Sequence, residues 1–189
     1  LSEADRSAGT GWNGELLRAD LRGYLPLPAV LGRGVLAARF TEVRSSQRTR
    51  PYQLGGASDP QLQFGTVLNS RDIALRGYQG NEAALQGRSA RVASLEWRQP
   101  LADLDRHAMV PPLGINRLSA ALFIDAGRAW TPGAAPLADA PAYHRGVGLE
   151  LLAELKLAYS IGLQARLGRA RALDEPRGSI GYLQVGRPF

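Results

Sequence analysis

A period of two in the hydrophobic pattern is the strongest constraint on how this chain can fold. Between Tyr159 and Gly168 every second residue is apolar, and the residues between them are small or polar. Such an alternation indicates a β-strand with one apolar face and one hydrated face. The apolar positions of this strand are Tyr159, Ile161, Leu163, Ala165 and Leu167.

The same alternation recurs along the chain and predicts an all-β fold of about seven strands. A helix fits less well, because charges at every second position would be scattered around its surface. No run approaches 18 consecutive apolar residues, so no membrane-spanning helix is predicted. The predicted strands cover residues 12–24, 33–45, 88–100, 115–130, 144–154, 157–169 and 179–189.

The composition argues against several kinds of function. The 189 residues include no cysteine, which excludes disulfides, thiolate zinc sites and cysteine nucleophiles. Two histidines, His107 and His144, leave little material for a metal cluster, and no nucleophile-elbow, phosphate-loop or metalloprotease motif occurs. We therefore predict no enzymatic activity, no metal and no cofactor.

The high charge raises the question of a nucleic-acid partner. The net charge is +6 and the sequence pI about 10.3, values typical of nucleic-acid-binding proteins. All 23 basic residues except Lys156 are arginines, and they are spread along the whole chain without a basic run. Because a binding patch would concentrate them, no nucleic-acid partner is predicted.

The connections between the predicted strands alternate in character. Three are short or rich in proline (25–32, 101–114 and 155–156), and three are polar and on average longer (46–87, 131–143 and 170–178). In an up-and-down sheet this places the long loops at one end, as in outer-membrane barrels.

Charged residues at mid-strand suit a water-filled lumen, and aromatic residues near strand ends suit an interfacial girdle. A soluble β-sandwich stays open as an alternative, because its inward apolar face produces the same alternation. The aromatic residues are Trp12, Tyr24, Trp97, Trp130, Tyr143 and Tyr159.

The most specific residues lie in the long connection 46–87 and in the strands after it. The connection contains Leu54-Gly55-Gly56 and Leu75-Arg76-Gly77-Tyr78. It resembles the sixth extracellular loop of the BamA-type outer-membrane assembly superfamily, or bacterial surface antigen family, whose Arg-Gly-Phe/Tyr tip folds back into the barrel. Phe123-Ile124-Asp125-Ala126-Gly127 resembles the family's Asp-x-Gly motif, and Gly146-Val147-Gly148-Leu149-Glu150 the strand that follows it.

The resemblance implies that residues 1–189 are the C-terminal part of an antiparallel, up-and-down transmembrane β-barrel. Residues 12–189 would supply seven of sixteen strands, with an inward-folding loop at 46–87. Since seven strands leave two open edges, which lipid does not tolerate, we expect the other strands upstream or in another chain. The implied location is the bacterial outer membrane.

The function implied by the resemblance is insertion of β-barrel proteins into the outer membrane, or translocation of proteins across it. The implied partners are outer-membrane lipid and lipopolysaccharide, unfolded β-barrel client proteins and periplasmic accessory subunits. A barrel that serves as an anchor or pore for a fused passenger domain is an alternative, and so is a passive pore of different ancestry.

The motif residues also predict a contact between the loop and the barrel wall. Asp125 and Glu150 share the polar face of their strands, where a carboxylate needs a partner, and Arg76 could supply a bidentate one. Gly77 would permit a tight turn, and Tyr78 would pack its ring on the wall with its hydroxyl solvated. An ordinary surface turn is the alternative for these three loop residues.

The last predicted strand carries a candidate C-terminal assembly signal. Leu183, Val185 and the terminal Phe189 fall on the face predicted to contact lipid. Arg187 would share that face and Pro188 removes a ladder donor, so the signal departs from the usual pattern.

Overall fold

The computed structural model describes residues 16–28, 32–45, 51–56, 72–80, 82–109, 113–132, 142–158, 161–175 and 178–186. Within these ranges the fold is all-β, as the period of two predicts, and contains one short 3-10 turn at Ala83–Leu85. No helix in the described part of the chain is long and apolar enough to cross a membrane.

Seven strands form one antiparallel sheet in the order β1-β2-β6-β7-β8-β9-β10. The seven strands predicted from the sequence are present, and the sheet is open, with β1 and β10 at its edges. The barrel and its sixteen strands stay predictions. The strands are β1 (Leu16–Pro26), β2 (Val35–Ser45), β6 (Ser89–Ala108), β7 (Leu113–Trp130), β8 (His144–Leu157), β9 (Ile161–Ala172) and β10 (Ile180–Gly186).

Two strands are longer than predicted. The pairing of β2 with β6 ends at Arg98, but β6 and β7 continue as a hairpin through most of the predicted connection 101–114. Two register shifts interrupt this hairpin, at Pro100/Ala102 and Asp103/Arg106, and such irregularities hide a period of two from sequence analysis. Trp97 therefore lies well inside β6, not near a strand end. Of the other aromatic residues, Trp12 and Tyr159 lie outside the described residues.

The boundary between the next two strands was also predicted wrongly. β8 continues to Leu157, and β9 begins at Ile161 and extends to Ala172, three residues beyond the predicted end. Leu155 and Leu157 keep the alternation of β8, so the pattern alone gave no point at which to stop this strand.

The two faces of the sheet differ sharply, and we call them inner and outer. The outer face carries large apolar side chains that no described residue covers; Leu21, Leu149 and Leu167 are 57–66% exposed. Exposure of this extent over a contiguous face is unusual for a soluble monomer. The exposed side chains of this face include Leu17, Leu21, Phe40, Leu95, Trp97, Leu122, Ile124, Val147, Leu149, Leu151, Ile161, Leu167, Leu183 and Val185.

The long connection between β2 and β6 folds onto the inner face. Its described part forms a three-stranded sheet of β3 (Tyr52–Leu54), β4 (Asp72–Ile73) and β5 (Gln86–Gly87) in the order β4-β3-β5. Small residues on the strands beneath, such as Ala90, Ala129 and Ala172, let it approach closely. The resulting core is Val43, Tyr52, Leu54, Ile73, Leu75, Tyr78, Leu85, Ala90, Val92, Ala129 and Ala172.

This core lies at the end of the sheet where the β2–β6, β7–β8 and β9–β10 connections emerge, which we call the loop end. The inner face is therefore apolar and buried there, whereas the alternation predicts a hydrated face throughout. The connection supplies the apolar partners, and the sequence pattern of the strands alone does not reveal them. On β2 and β6–β9 the charged inner-face residues begin farther along the strands, toward Arg76, whereas on β1 Arg18 lies opposite Val43 of the core.

Candidate functional site

Arg76 occupies the middle of the inner face because the segment 72–80 is fastened on both sides of it. Before it, β4 pairs in parallel with β3, and a bridge joins Leu75 to Gly56. After it, the amide of Gly56 donates to the carbonyl oxygen of Tyr78 at 2.8 Å. These backbone bonds leave the Arg76 side chain as the group that extends toward the strands.

Arg76 and Asp125 form a bidentate pair, as the sequence predicts. Nε of Arg76 donates to Oδ2 of Asp125 and Nη2 donates to Oδ1, both at 2.7 Å. The backbone amide of Arg76 donates to the same carboxylate at 3.2 Å. Two parallel charge-assisted bonds fix orientation as well as distance, so this contact sets how the segment 72–80 lies on β7.

Two further carboxylates share the remaining guanidinium nitrogen. Nη1 of Arg76 donates to Glu96 on β6 at 2.7 Å and to Glu150 on β8 at 3.1 Å. The Phe123 ring lies 3.5 Å from the centre of the guanidinium, at the distance of a cation–π contact. Arg76 thereby contacts three neighbouring strands, including Glu150, the second predicted partner.

The charge of the cluster balances only when two strand arginines are included. Arg98 donates to Glu96 at 2.6 Å and Arg166 donates to Glu150 at 3.2 Å. With Arg76 they provide three positive charges against the three carboxylates. Burial opposes ionisation of Arg76, but the Asp125 hydrogen bond and charge, and the charges of Glu96 and Glu150, outweigh it. The pKa of Arg76 is therefore raised well above its ordinary value.

Three further members of this cluster were not predicted as partners of these carboxylates. They are Arg98, Arg166 and Tyr182, whose hydroxyl donates to Glu150 at 2.6 Å. A signal for them exists, because Arg98 and Arg166 have the same strand parity as the carboxylates they contact. The register that brings them together spans five strands, and parity alone does not give register.

Gly77 fits the predicted tight turn, and a second glycine, Gly146 of β8, lets the segment 72–80 lie close to the sheet. Gly77 has a φ of +99°, a region that L-residues with a Cβ seldom adopt, and it faces the β9 backbone at Arg171 and Ala172. Across the sheet, a Cβ on Gly146 would collide with the carbonyl oxygen of Arg76. Gly146 was noted as part of the strand motif, but its role in admitting the segment was not predicted.

Tyr78 packs on the sheet as expected, but its hydroxyl is not solvated. The residue is 1% exposed, and the hydroxyl donates to the carbonyl oxygen of Arg145 at 3.0 Å and to Asp174 at 3.3 Å. Burial raises the pKa of Tyr78 to about 12, and the charge of Asp174 acts in the same direction. The prediction failed because the alternation within strands does not show that Asp174, in the β9–β10 loop, lies against the Tyr78 hydroxyl.

The candidate C-terminal signal is described in part. Leu183 and Val185 lie on the outer face, 71% and 54% exposed, opposite Leu167 and Ala165 of β9. Phe189, with Arg187 and Pro188, lies outside the described residues. The other side of β10 is an edge of the described sheet.

The described side chains of the site form a cluster of arginines and carboxylates. No set of three or more His, Asp or Glu residues is arranged to hold a metal within the described ranges. His144 contacts Tyr78 edge-on at 5.4 Å between ring centroids, and His107 lies at the far end of β6 beside Asp105. The arrangement is suited to holding a loop in place by charge and hydrogen bonding.

No family model, curated protein or solved structure matches this chain.

Proposed function

We propose that this chain is the C-terminal part of an outer-membrane β-barrel that inserts barrel proteins into the membrane or moves proteins across it. The observation that carries the proposal is the Arg76 segment folded onto the charged inner face, with the opposite face apolar and uncovered. This is the arrangement implied by the resemblance of the Leu-Arg-Gly-Tyr and Asp-x-Gly motifs to the assembly superfamily.

The dimensions of the sheet support a membrane location. A tilted strand needs about 9–11 residues to cross the hydrocarbon layer. Every strand of the sheet from β1 to β9 has at least 11 residues, and β10 has seven described residues. Apolar outer-face side chains along these strands would contact acyl chains.

A soluble β-sandwich is less well supported. A sandwich buries the apolar face of one sheet under a second sheet. Here the second sheet, β3–β5, lies on the face that carries the charges and leaves the large apolar side chains exposed.

The proposed mechanism uses main-chain pairing at the sheet edge and involves no covalent chemistry. The edge of β10 would pair with an incoming client strand by β-augmentation, which places few demands on client sequence. Arg76 would brace β6, β7 and β8 from inside, so that movement is confined to the sheet edge at β10. The proposed partners are outer-membrane lipid with lipopolysaccharide, unfolded barrel proteins and periplasmic accessory subunits.

The membrane location is tested with single cysteines, since the chain has none of its own. Leu149→Cys on the outer face should resist a charged maleimide in intact membranes and react after unfolding in urea. Met109→Cys, at the exposed tip of the β6–β7 hairpin, should react in both states and is the matched control. Rapid labelling of Leu149→Cys in the native protein would contradict a lipid-facing position.

Assembly is tested by depleting the protein in its own bacterium and measuring folded outer-membrane proteins by their heat-modifiable migration. We expect folded barrel proteins to fall, with recovery by the wild-type protein and poor recovery by Arg76→Ala. Arg117→Ala, which removes the same charge from an exposed ion pair with Asp103 on the β6–β7 hairpin, should restore them. Loss of one secreted passenger with normal barrel levels would favour the anchor or pore alternative.

A further inference from the structure

Arginines are distributed unequally between the two ends of the outer face. Five consecutive strands, β2 and β6–β9, each place at least one arginine on this face within three residues of the loop end. At the opposite end, the outer positions of β1, β2, β8 and β9 are leucine or isoleucine, and Arg106 of β6, opposite Ile115, is the arginine that the described strands place on this face. The loop-end residues, which we call the arginine row, are Arg44, Arg91, Arg128, Arg145, Arg169 and Arg171.

The strand register makes the row continuous. Arg91 lies directly opposite Arg128, and Glu42, two residues from Arg44, lies opposite Arg91. Arg145 is paired with Ala126, two residues from Arg128, and Arg171 with Val147, two residues from Arg145. With neighbouring strands about 4.8 Å apart, the row extends roughly 20 Å across the sheet.

The row carries excess positive charge. In the described part of the chain, three carboxylates lie on this face or in the adjoining β9–β10 loop: Glu42, Asp174 and Glu175. Glu42 contacts both Arg44 and Arg91, and Asp174 contacts Arg145. Six positive charges against three negative charges leave a local charge of +3. The side chains of Arg44 and Arg145 are 57% and 58% exposed despite their ion pairs, so their guanidinium groups remain accessible.

Two aromatic rings lie beside the centre of the row. The Arg128 guanidinium is 5.1 Å from the Trp130 ring centroid and 4.7 Å from that of Tyr143, and Arg91 is 5.5 Å from Trp130. Nε of Arg128 is buried beside these rings and has no hydrogen-bond partner among the described residues. The loop end therefore combines phosphate-binding guanidinium groups with flat apolar rings of the kind that pack against sugars.

We infer that the arginine row binds the phosphates of lipid A, the membrane-embedded part of lipopolysaccharide, at the loop end of the sheet. This inference rests on the proposed function, which puts the outer face in the outer membrane with the long loops outside. Phosphates on sugars match the row and the adjacent rings, and the acyl chains of lipid A would lie along the apolar surface. A glycerol phospholipid offers no sugar for Trp130 and Tyr143.

The test measures lipid binding by the purified protein in phosphatidylcholine vesicles that contain lipid A, phosphatidylglycerol or neither. The probe is a double variant, Arg91→Gln with Arg128→Gln. The matched control is Arg106→Gln with Arg117→Gln, which removes the same charge from the β6–β7 hairpin at the other end. One basic residue near an anionic surface contributes about fivefold in affinity, so the probe, which removes two, should weaken lipid A binding by about twenty-fivefold.

We expect wild type and control to bind lipid A alike, and both to prefer it over phosphatidylglycerol. Equal binding by the probe variant, or an equal loss in the control, would overturn the site. Equal affinity for phosphatidylglycerol would overturn the assignment to lipid A, and so would displacement by millimolar inorganic phosphate. Insertion into pure phosphatidylcholine vesicles is scored separately; failure there would contradict the proposed function, whereas insertion without lipid A preference contradicts only this inference.

Discussion

The inner charge cluster and the outer arginine row use the same residue type on opposite faces of one sheet. Inside, Arg76 is 5% exposed and makes hydrogen bonds to three carboxylates, each within 3.1 Å. Outside, Arg44 and Arg145 are each ion-paired to a carboxylate yet keep more than half of their side-chain surface exposed. The difference shows that burial and the surrounding groups, and not residue type, decide whether an arginine holds the fold together or stays exposed.

The two settings have different energetic consequences. A buried charge must be matched, because its desolvation is not recovered unless partners replace water. An exposed ion pair contributes about 0–1 kcal/mol and can be lost with little effect. Removal of one arginine from the buried cluster should therefore lower the free energy of opening of residues 72–80 by several kcal/mol more than removal of one exposed arginine.

The largest effect is expected from Arg76→Ala. Three buried carboxylates would lose a shared partner, and removing one side of such a pair costs about 3–5 kcal/mol. The measurement is the free energy of opening of residues 72–80, from hydrogen exchange of their amides. Arg44→Ala, which breaks an exposed ion pair, should change it by less than about 0.5 kcal/mol. Equal effects of the two variants would remove the distinction between the faces.

The second-largest loss of stability is expected from Gly77→Ala. A φ of +99° is strained for alanine, and its Cβ would lie 2.9–3.0 Å from the β9 backbone at Arg171 and Ala172. A non-glycine residue in such a conformation costs about 1–3 kcal/mol. Gly80→Ala is the matched control, because its Cβ would meet nothing within 4 Å. Hydrogen exchange of residues 72–80 is measured for both variants. An equal loss of protection in the two would show that the close approach at Gly77 is unimportant.

The fold class and part of the inner charge cluster could be predicted from the sequence. The period of two gave the all-β class and the number of strands in the sheet, and parity put Asp125 and Glu150 on one face. The pairing with Arg76 came from the motif resemblance combined with the need of a buried carboxylate for a partner. These signals lie within a single strand or motif, so they can be recognised without knowing how the strands pair.

Features that depend on register were not predictable in the same way. Arg98, Arg166 and Tyr182 reach the cluster from β6, β9 and β10, and only the pairing of the strands aligns them. The arginine row is a property of five strands together, so its residues looked scattered along the chain. Asp174 was missed because its role depends on where the Tyr78 hydroxyl lies.

A smaller effect is expected from Tyr78→Phe, with a characteristic pH dependence. Loss of the hydroxyl bonds to Arg145 and Asp174 should lower the free energy of opening of residues 72–80 by about 1 kcal/mol at neutral pH. The folded pKa of Tyr78 is raised to about 12, above the value of about 10 for an unfolded tyrosine. Protonated Tyr78 therefore contributes stability below pH 10, and that contribution is lost as the pH rises toward 12.

The measurement is the free energy of opening of residues 72–80, compared between wild type and Tyr78→Phe from about pH 10 to pH 12. Wild type should lose protection of residues 72–80 more steeply than the variant, since the variant lacks the titrating group. Parallel pH profiles for the two proteins would show that the Tyr78 hydroxyl is not held as described.

The smallest change in stability, with a gain in binding, is expected from Glu42→Gln. Its carboxylate contacts Arg44 and Arg91 on the outer face, where ion pairs contribute little, so stability should stay within about 0.5 kcal/mol. Removing the acid raises the local charge of the row and should tighten lipid A binding by about fivefold. On the inner face, Glu96→Gln removes the same charge but leaves Arg98 and Arg76 short of a buried partner. It should destabilise residues 72–80 with no gain in lipid binding, and a gain from Glu96→Gln would mean that net charge alone, not the outer row, governs the interaction.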